Sequence, residues 1–169
     1  DDAGVIQAPG TFSNLATELG LIDELTQLVL AEIVKSIDLI NETFGPDTTI
    51  SMNVAAKQAG NPEFMRPFAE AIEATGFPTR FMIEVTEDAF VTKTHFQDEI
   101  LPIFRKLGIG ISIDDFGIGY SSLSALADIT ADEIKIDRSF ITDIHLRPRS
   151  QGILRAIESL SEALGMTVI

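Results

Sequence analysis

Residues 110–137 read GISIDDFGIGYSSLSALADITADEIKID. The alternation Ile111-Ser112-Ile113 has the period of a strand, and it ends on two neighbouring carboxylates, Asp114 and Asp115. A glycine-rich turn, Phe116-Gly117-Ile118-Gly119-Tyr120, and a short helical segment follow. A second apolar strand, Ile134-Lys135-Ile136, then carries a lysine in its middle and Asp137 at its end. Two strands joined by a short helix, each finishing on ionisable side chains, is how a parallel α/β sheet presents an active site.

The same unit recurs on either side. The spacing predicts strands over 49–54, 81–85 and 166–169, in addition to 110–114 and 133–137. Helices are expected over 11–18, 22–41, 61–74, 94–107 (bent near Pro102) and 150–164. Leu25, Leu28, Val29, Ile33, Ile37 and Ile40 recur three and four apart and should form one buried stripe of the 22–41 helix. Asn61-Pro62 is a helix start, an N-cap residue followed by proline. Strands that each follow a helix closely should be parallel, with right-handed crossovers, so the class is α/β.

The charge and composition narrow the function. A net charge of -14 repels a nucleic-acid backbone, which argues against general DNA or RNA binding. A small phosphate ester could bind if divalent cations lay between it and the carboxylates. The chain has no cysteine, which removes disulfides, thiolate zinc sites and thiol chemistry. Neither a membrane span nor a secretory leader is expected from the pattern of apolar residues. With 169 residues and no break in composition, a single domain is expected.

Four successive strands place polar side chains at or near their C-terminal ends: Asn53, Glu84, Asp114 with Asp115, and Lys135 with Asp137. That edge is where α/β sheets bind ligands. Carboxylates with an amide oxygen, and no Cys or His pair, suit hard cations such as Mg²⁺ or Mn²⁺. Two such ions would clamp a phosphodiester and activate water, and Lys135 could orient the attacking hydroxide. Plainer roles stand beside this one. Asp114-Asp115 could form a turn or cap, Glu87-Asp88 could favour a helix N-terminus, Lys135 could guard a sheet edge, and Asn53 could begin a turn. His95 and His145 read as surface residues. Gly117-Ile118-Gly119 has neither the dinucleotide nor the P-loop spacing.

Asp-Asp-Phe-Gly-Ile-Gly-Tyr-Ser-Ser-Leu (114–123) with Ile-Lys-Ile-Asp-Arg-Ser-Phe (134–140) closely resembles the EAL domain family. The likeness extends to Pro9-Gly10-Thr11-Phe12, Ser51-Met52-Asn53-Val54 and Ile83-Glu84-Val85-Thr86-Glu87, and so covers the chain in the family's order. The resemblance implies a TIM-like (β/α) barrel that hydrolyses the bacterial second messenger cyclic di-GMP to linear pGpG with two Mg²⁺ or Mn²⁺ ions. It implies Asn53, Glu84 and Asp114 as ligands of one ion, with Asp114 bridging to a second that Asp115 also holds. Lys135 would contact the nucleophilic water, Glu87 would hold the loop 115–123, and Asp137 would help bind substrate or order the site. A homodimer, fused or partner sensory or GGDEF domains, and a cytoplasmic bacterial setting, open to a membrane-anchored parent, are further implications.

Residues 1–169 are accordingly expected to be a single EAL domain cut at both ends. The strand bearing the Glu-Ala-Leu tripeptide would precede residue 1, and the last strands would follow Ile169. An incomplete barrel has open edges, so the isolated chain is expected to show little or no hydrolysis. Ile118 stands where the family usually has Thr, Ala55 where Ser is common, and Asp88 where Ser often occurs. None of the three removes a ligand. The alternative function is a catalytically inactive module that binds cyclic di-GMP or a protein partner.

Overall fold

The computed structural model describes residues 7–87, 96–117 and 130–169. The rest of the glycine-rich turn from Ile118, the helical segment after it, Asp88 and His95 lie outside the described residues. The chain divides into two compact units, Asp1–Pro46 and Asp47–Ile169.

In the first unit a 3-10 turn at Pro9–Thr11 leads to α1 (Ser13–Glu18), α2 (Ile22–Lys35) and α3 (Ile37–Phe44). The single helix expected over 22–41 is therefore two. Ser36 leaves helical geometry at φ -98° and ψ 7°, and its N–H is shared between the carbonyls of Glu32 and Ile33. Serine competes with the helix for backbone partners, which makes it a natural point of interruption. The expected stripe is corrected too: α2 buries Thr26 and Leu30, whereas Leu28 and Val29 are exposed.

The second unit is a parallel sheet with helices against one face. Its strands are β1 (Ile50–Val54), β2 (Phe81–Thr86), β3 (Gly110–Phe116), β4 (Glu133–Ile136) and β5 (Thr167–Val168), ordered as in the chain and all paired in parallel. Among the described residues β1 and β5 are the sheet's two edges, and the sheet is not closed. Between β1 and β2 come α4 (Ala56–Ala59) and α5 (Pro62–Ala74). The Asn61 side chain accepts a hydrogen bond from the Glu63 N–H at 3.1 Å, so α5 starts as the sequence expects.

Ahead of β3 a π-helical turn, Phe96–Ile100, runs into α6 (Leu101–Leu107). Pro102 sits in the first turn of α6, where its missing N–H has no helical partner to lose, so the irregularity precedes it. After β4 come α7 (Arg138–Ile141), a 3-10 turn at Ile144–Leu146, and α8 (Pro148–Leu164). Gly108 and Gly165 end α6 and α8 at φ 72° and 73°, the left-handed conformation that glycine adopts without a Cβ clash.

Strict alternation separates the two faces of the sheet. Met52, Val54, Ile83, Val85, Ile111, Ile113 and Ile134 are buried on one side. Phe64, Phe68, Ile72, Ile100 and Phe104 of the helices belong to the same apolar core. The other face carries Asn53, Glu84, Ser112 and Glu133 in one register row. At the N-terminal ends of β3 and β4, Arg105 Nη1 donates to both carboxylate oxygens of Asp132 at 2.7 Å. Asp132 in turn accepts from the Ile111 N–H at 2.7 Å, which fixes the β3–β4 register there. No helix among the described residues is long and apolar enough to cross a membrane.

Candidate active site

Parallel pairing sets the polar residues of neighbouring strands side by side. Asn53 is paired with Glu84, and Thr86 with Asp114. Adjacent strands lie about 4.8 Å apart, so Asn53 and Glu84 share one face within reach of a common ligand. Asn53 is exposed and Glu84 is buried.

A regular strand would point Asp114 and Asp115 to opposite faces, because side chains alternate. The β3–β4 ladder departs from regularity at this place. Ser112 and Ile113 pair with Glu133 and Ile134, but the next pair is Phe116 with Ile136. One extra residue has entered β3, and Asp115 takes φ 52° to accommodate it. Aspartate tolerates this left-handed conformation better than most residues, and a bulge re-aims the side chains it contains. Asp115 is thereby released from the strict alternation that would send it away from Asp114.

Asp114 is half-buried and feels the charges around it. Burial pushes the Asp114 carboxyl above its ordinary value, and the charges of Asp115 and Glu84 push it the same way. A hydrogen bond from the Asp115 backbone and the Lys135 ammonium work against the rise without cancelling it. Lys135 Nζ donates to Glu84 Oε1 across the face of β3 in an ion pair that leaves Glu84 only 6% exposed. Because β4 pairs with both β3 and β5, Lys135 lies on an interior strand, which removes the edge-guard reading.

Glu87, just past β2, is buried, and its Oε2 accepts the Gly117 N–H at 3.2 Å. Glu87 therefore holds the point where the chain leaves the bulge. Asp137 behaves differently. Its carboxylate caps α7 by accepting the Ser139 N–H at 2.8 Å, and the Ser139 hydrogen bonds hold its pKa below the usual carboxylate value. His145 is exposed on the 3-10 turn.

Two features of this region escape a reading by residue type. One is Ser112, fully buried, whose hydroxyl donates to Glu133 Oε1 at 2.9 Å in the row of Glu84 and one row below Asp114. Counting back by two from Asp114 and Lys135 would have put both on this face. The other is Phe140 against Gly117, which no local pattern announces.

The donor set suits a hard divalent cation. Glu84, Asp114 and Asp115 set three carboxylates against one ammonium, Asn53 adds an amide oxygen, and the raised Asp114 pKa, owed first to burial and then to the Asp115 and Glu84 charges, is a cost that a cation would relieve. Among the described residues no three acidic, His or Cys side chains are already gathered closely enough to enclose an ion. Glu84 is paired with Lys135 instead.

The family model of the EAL domain matches residues 1–169. This chain belongs to the EAL domain family. Its relatives include the cyclic di-GMP phosphodiesterase PdeR of Escherichia coli (strain K12), 32% identical over 162 residues. That match covers 95% of this chain but 24% of the relative, so the chain spans about a quarter of that protein's length. Among solved structures, the PaMucR phosphodiesterase in complex with c-di-GMP superposes with a TM-score of 0.83 at 32% identity, covering 95% of this chain and 70% of the other. Klebsiella pneumoniae BlrP1, solved with manganese and cy-diGMP, gives 0.69 at 28% identity over 85% of this chain and 37% of its own. The EAL fold is thus that of an α/β, TIM-like barrel, here with the sheet open among the described residues.

Proposed function

We propose that this chain is a stretch of a single EAL domain, and that the domain hydrolyses cyclic di-GMP to linear pGpG with the help of two divalent ions, Mg²⁺ or Mn²⁺. The observation that carries the reading is the strand-end cluster, in which a bulge frees Asp115 to act beside Asp114 while Glu84 and Lys135 close the same face. Relatives that are cyclic di-GMP phosphodiesterases, and a neighbour solved with manganese, support it.

Asn53, Glu84 and Asp114 would hold one ion, and Asp114 and Asp115 the other. Bound there, the ions would supply Lewis-acid activation of water and neutralise the phosphodiester. Lys135 presents an ammonium beside Glu84, placed to orient the attacking water and to offset charge that develops on the phosphoryl oxygens. Glu87 maintains the exit of the bulge through Gly117. Asp137 serves α7 with its carboxylate, so its contribution is to order the site. The setting is a bacterial cytoplasm, where such a domain would work beside sensory or GGDEF partners and pair with a second copy.

The test is product analysis with the full-length protein, cyclic di-GMP and Mn²⁺. Appearance of pGpG that stops on chelation supports the reading. Tight binding of cyclic di-GMP with no product would replace it with the receptor role.

A further inference from the structure

Gly117 is held on two sides. Its N–H donates to Glu87 Oε2, and its α-carbon lies against the Phe140 ring. A β-carbon built at Gly117 would fall 2.7 Å from Phe140 Cε2 and 3.0 Å from Cζ, so the ring fits only against a glycine. Gly117 also has φ 102°, a conformation that side chains disfavour. Two residues earlier stands Asp115, the left-handed residue of the bulge.

Phe140 reaches this position by a defined route. The Asp137 N–H donates to the Phe116 carbonyl at 3.4 Å, and the Asp137 carboxylate caps α7 on Ser139. One turn later α7 delivers Phe140. The ring is only partly buried and lies outside the apolar core of the sheet, so the core does not explain its placement.

We propose that Phe140 is a positioning residue for the Asp114–Asp115 site. Its ring packs against the α-carbon of Gly117 while Glu87 holds the N–H, and the two together keep the strand exit in the geometry that the bulge requires. Without the ring, Gly117 can move away from Glu87, and Asp115 regains conformations that carry its carboxylate out of the cluster. This inference rests on the proposed metal-dependent reading of the same site. It also gives Asp137 a reason to stand at the end of β4: by capping α7 it sets the helix that presents Phe140.

The experiment is Mn²⁺ binding to the full-length protein by calorimetry without substrate, beside cyclic di-GMP kinetics, for wild type, Phe140→Ala, Phe140→Leu and Phe140→Tyr. Groups that orient metal ligands typically change affinity by about 10- to 100-fold. Phe140→Ala should weaken Mn²⁺ binding by about tenfold or more and lower kcat with little change in KM. Phe140→Leu should lose less, and Phe140→Tyr, which keeps the ring, should restore most of the affinity. The leucine variant carries the test if the alanine variant does not fold. Wild-type Mn²⁺ affinity in folded Phe140→Ala or Phe140→Leu would overturn the role of Phe140 alone. Failure of the wild-type protein to take up Mn²⁺ would overturn this inference together with the metal-dependent reading beneath it.

Discussion

Asp114 is half-buried beside two like charges. Its folded pKa lies above the ordinary 3.8, chiefly through burial and then through Asp115 and Glu84. The native state therefore binds this proton more readily than the unfolded chain, and metal-free stability falls as pH rises from 3.8 through the folded value. Asp114→Asn removes the buried charge and keeps the shape. It should raise the metal-free unfolding free energy at neutral pH, while abolishing turnover. Chemical denaturation at pH 7 and pH 4 would check the sign, since the advantage of the variant should shrink at the lower pH. Asp137 has the opposite sign. Its folded pKa is lowered by Ser139, so its stabilisation is present above 3.8 and is lost as pH falls through the folded value. Asp137→Ala should lower the melting temperature at pH 7 and lose that effect in strong acid. At Glu87, substitution by alanine removes the acceptor for the Gly117 N–H, and the Mn²⁺ requirement for turnover should rise by about 10-fold or more.

At the scale of elements, what could be read from the sequence follows how local the cause is. Asn61-Pro62 starts a helix through a contact two residues away, and α5 begins there. Asn61→Ala should cost about 1 kcal/mol, measurable by urea denaturation. Gly108 and Gly165 ended their helices for equally local reasons. The break at Ser36 was harder to foresee, because apolar spacing ran straight through it. The bulge was beyond reach. Asp114-Asp115 advertises two carboxylates, but only the register of β4 against β3 reveals the extra residue that releases Asp115 from the alternation. Lys135 was ambiguous for a related reason, since whether β4 is an edge depends on β5. Sequence could therefore nominate Asn53, Glu84, Asp114, Asp115 and Lys135 by strand ends, but not the bulge that interrupts the alternation at Asp115.

For the molecule as a whole, the division of labour between the two sheet faces matters most. The helix-covered face is apolar and nearly fully buried, and it fixes strand order and register. Phe104 of α6 is fully buried in that core, so Phe104→Ala should cost about 3–5 kcal/mol by denaturation. The opposite face carries the polar row and the carboxylates, which a rigid scaffold holds in place at some expense in stability. The most direct test is the initial rate of cyclic di-GMP hydrolysis by the full-length protein as Mn²⁺ is raised, for wild type, Asp114→Asn and Asp115→Asn. The account predicts Mn²⁺-dependent turnover in the wild type and its loss in both variants, because both carboxylates act at one site. Full activity in Asp115→Asn would contradict it, since the bulge would then have no part in assembling the site.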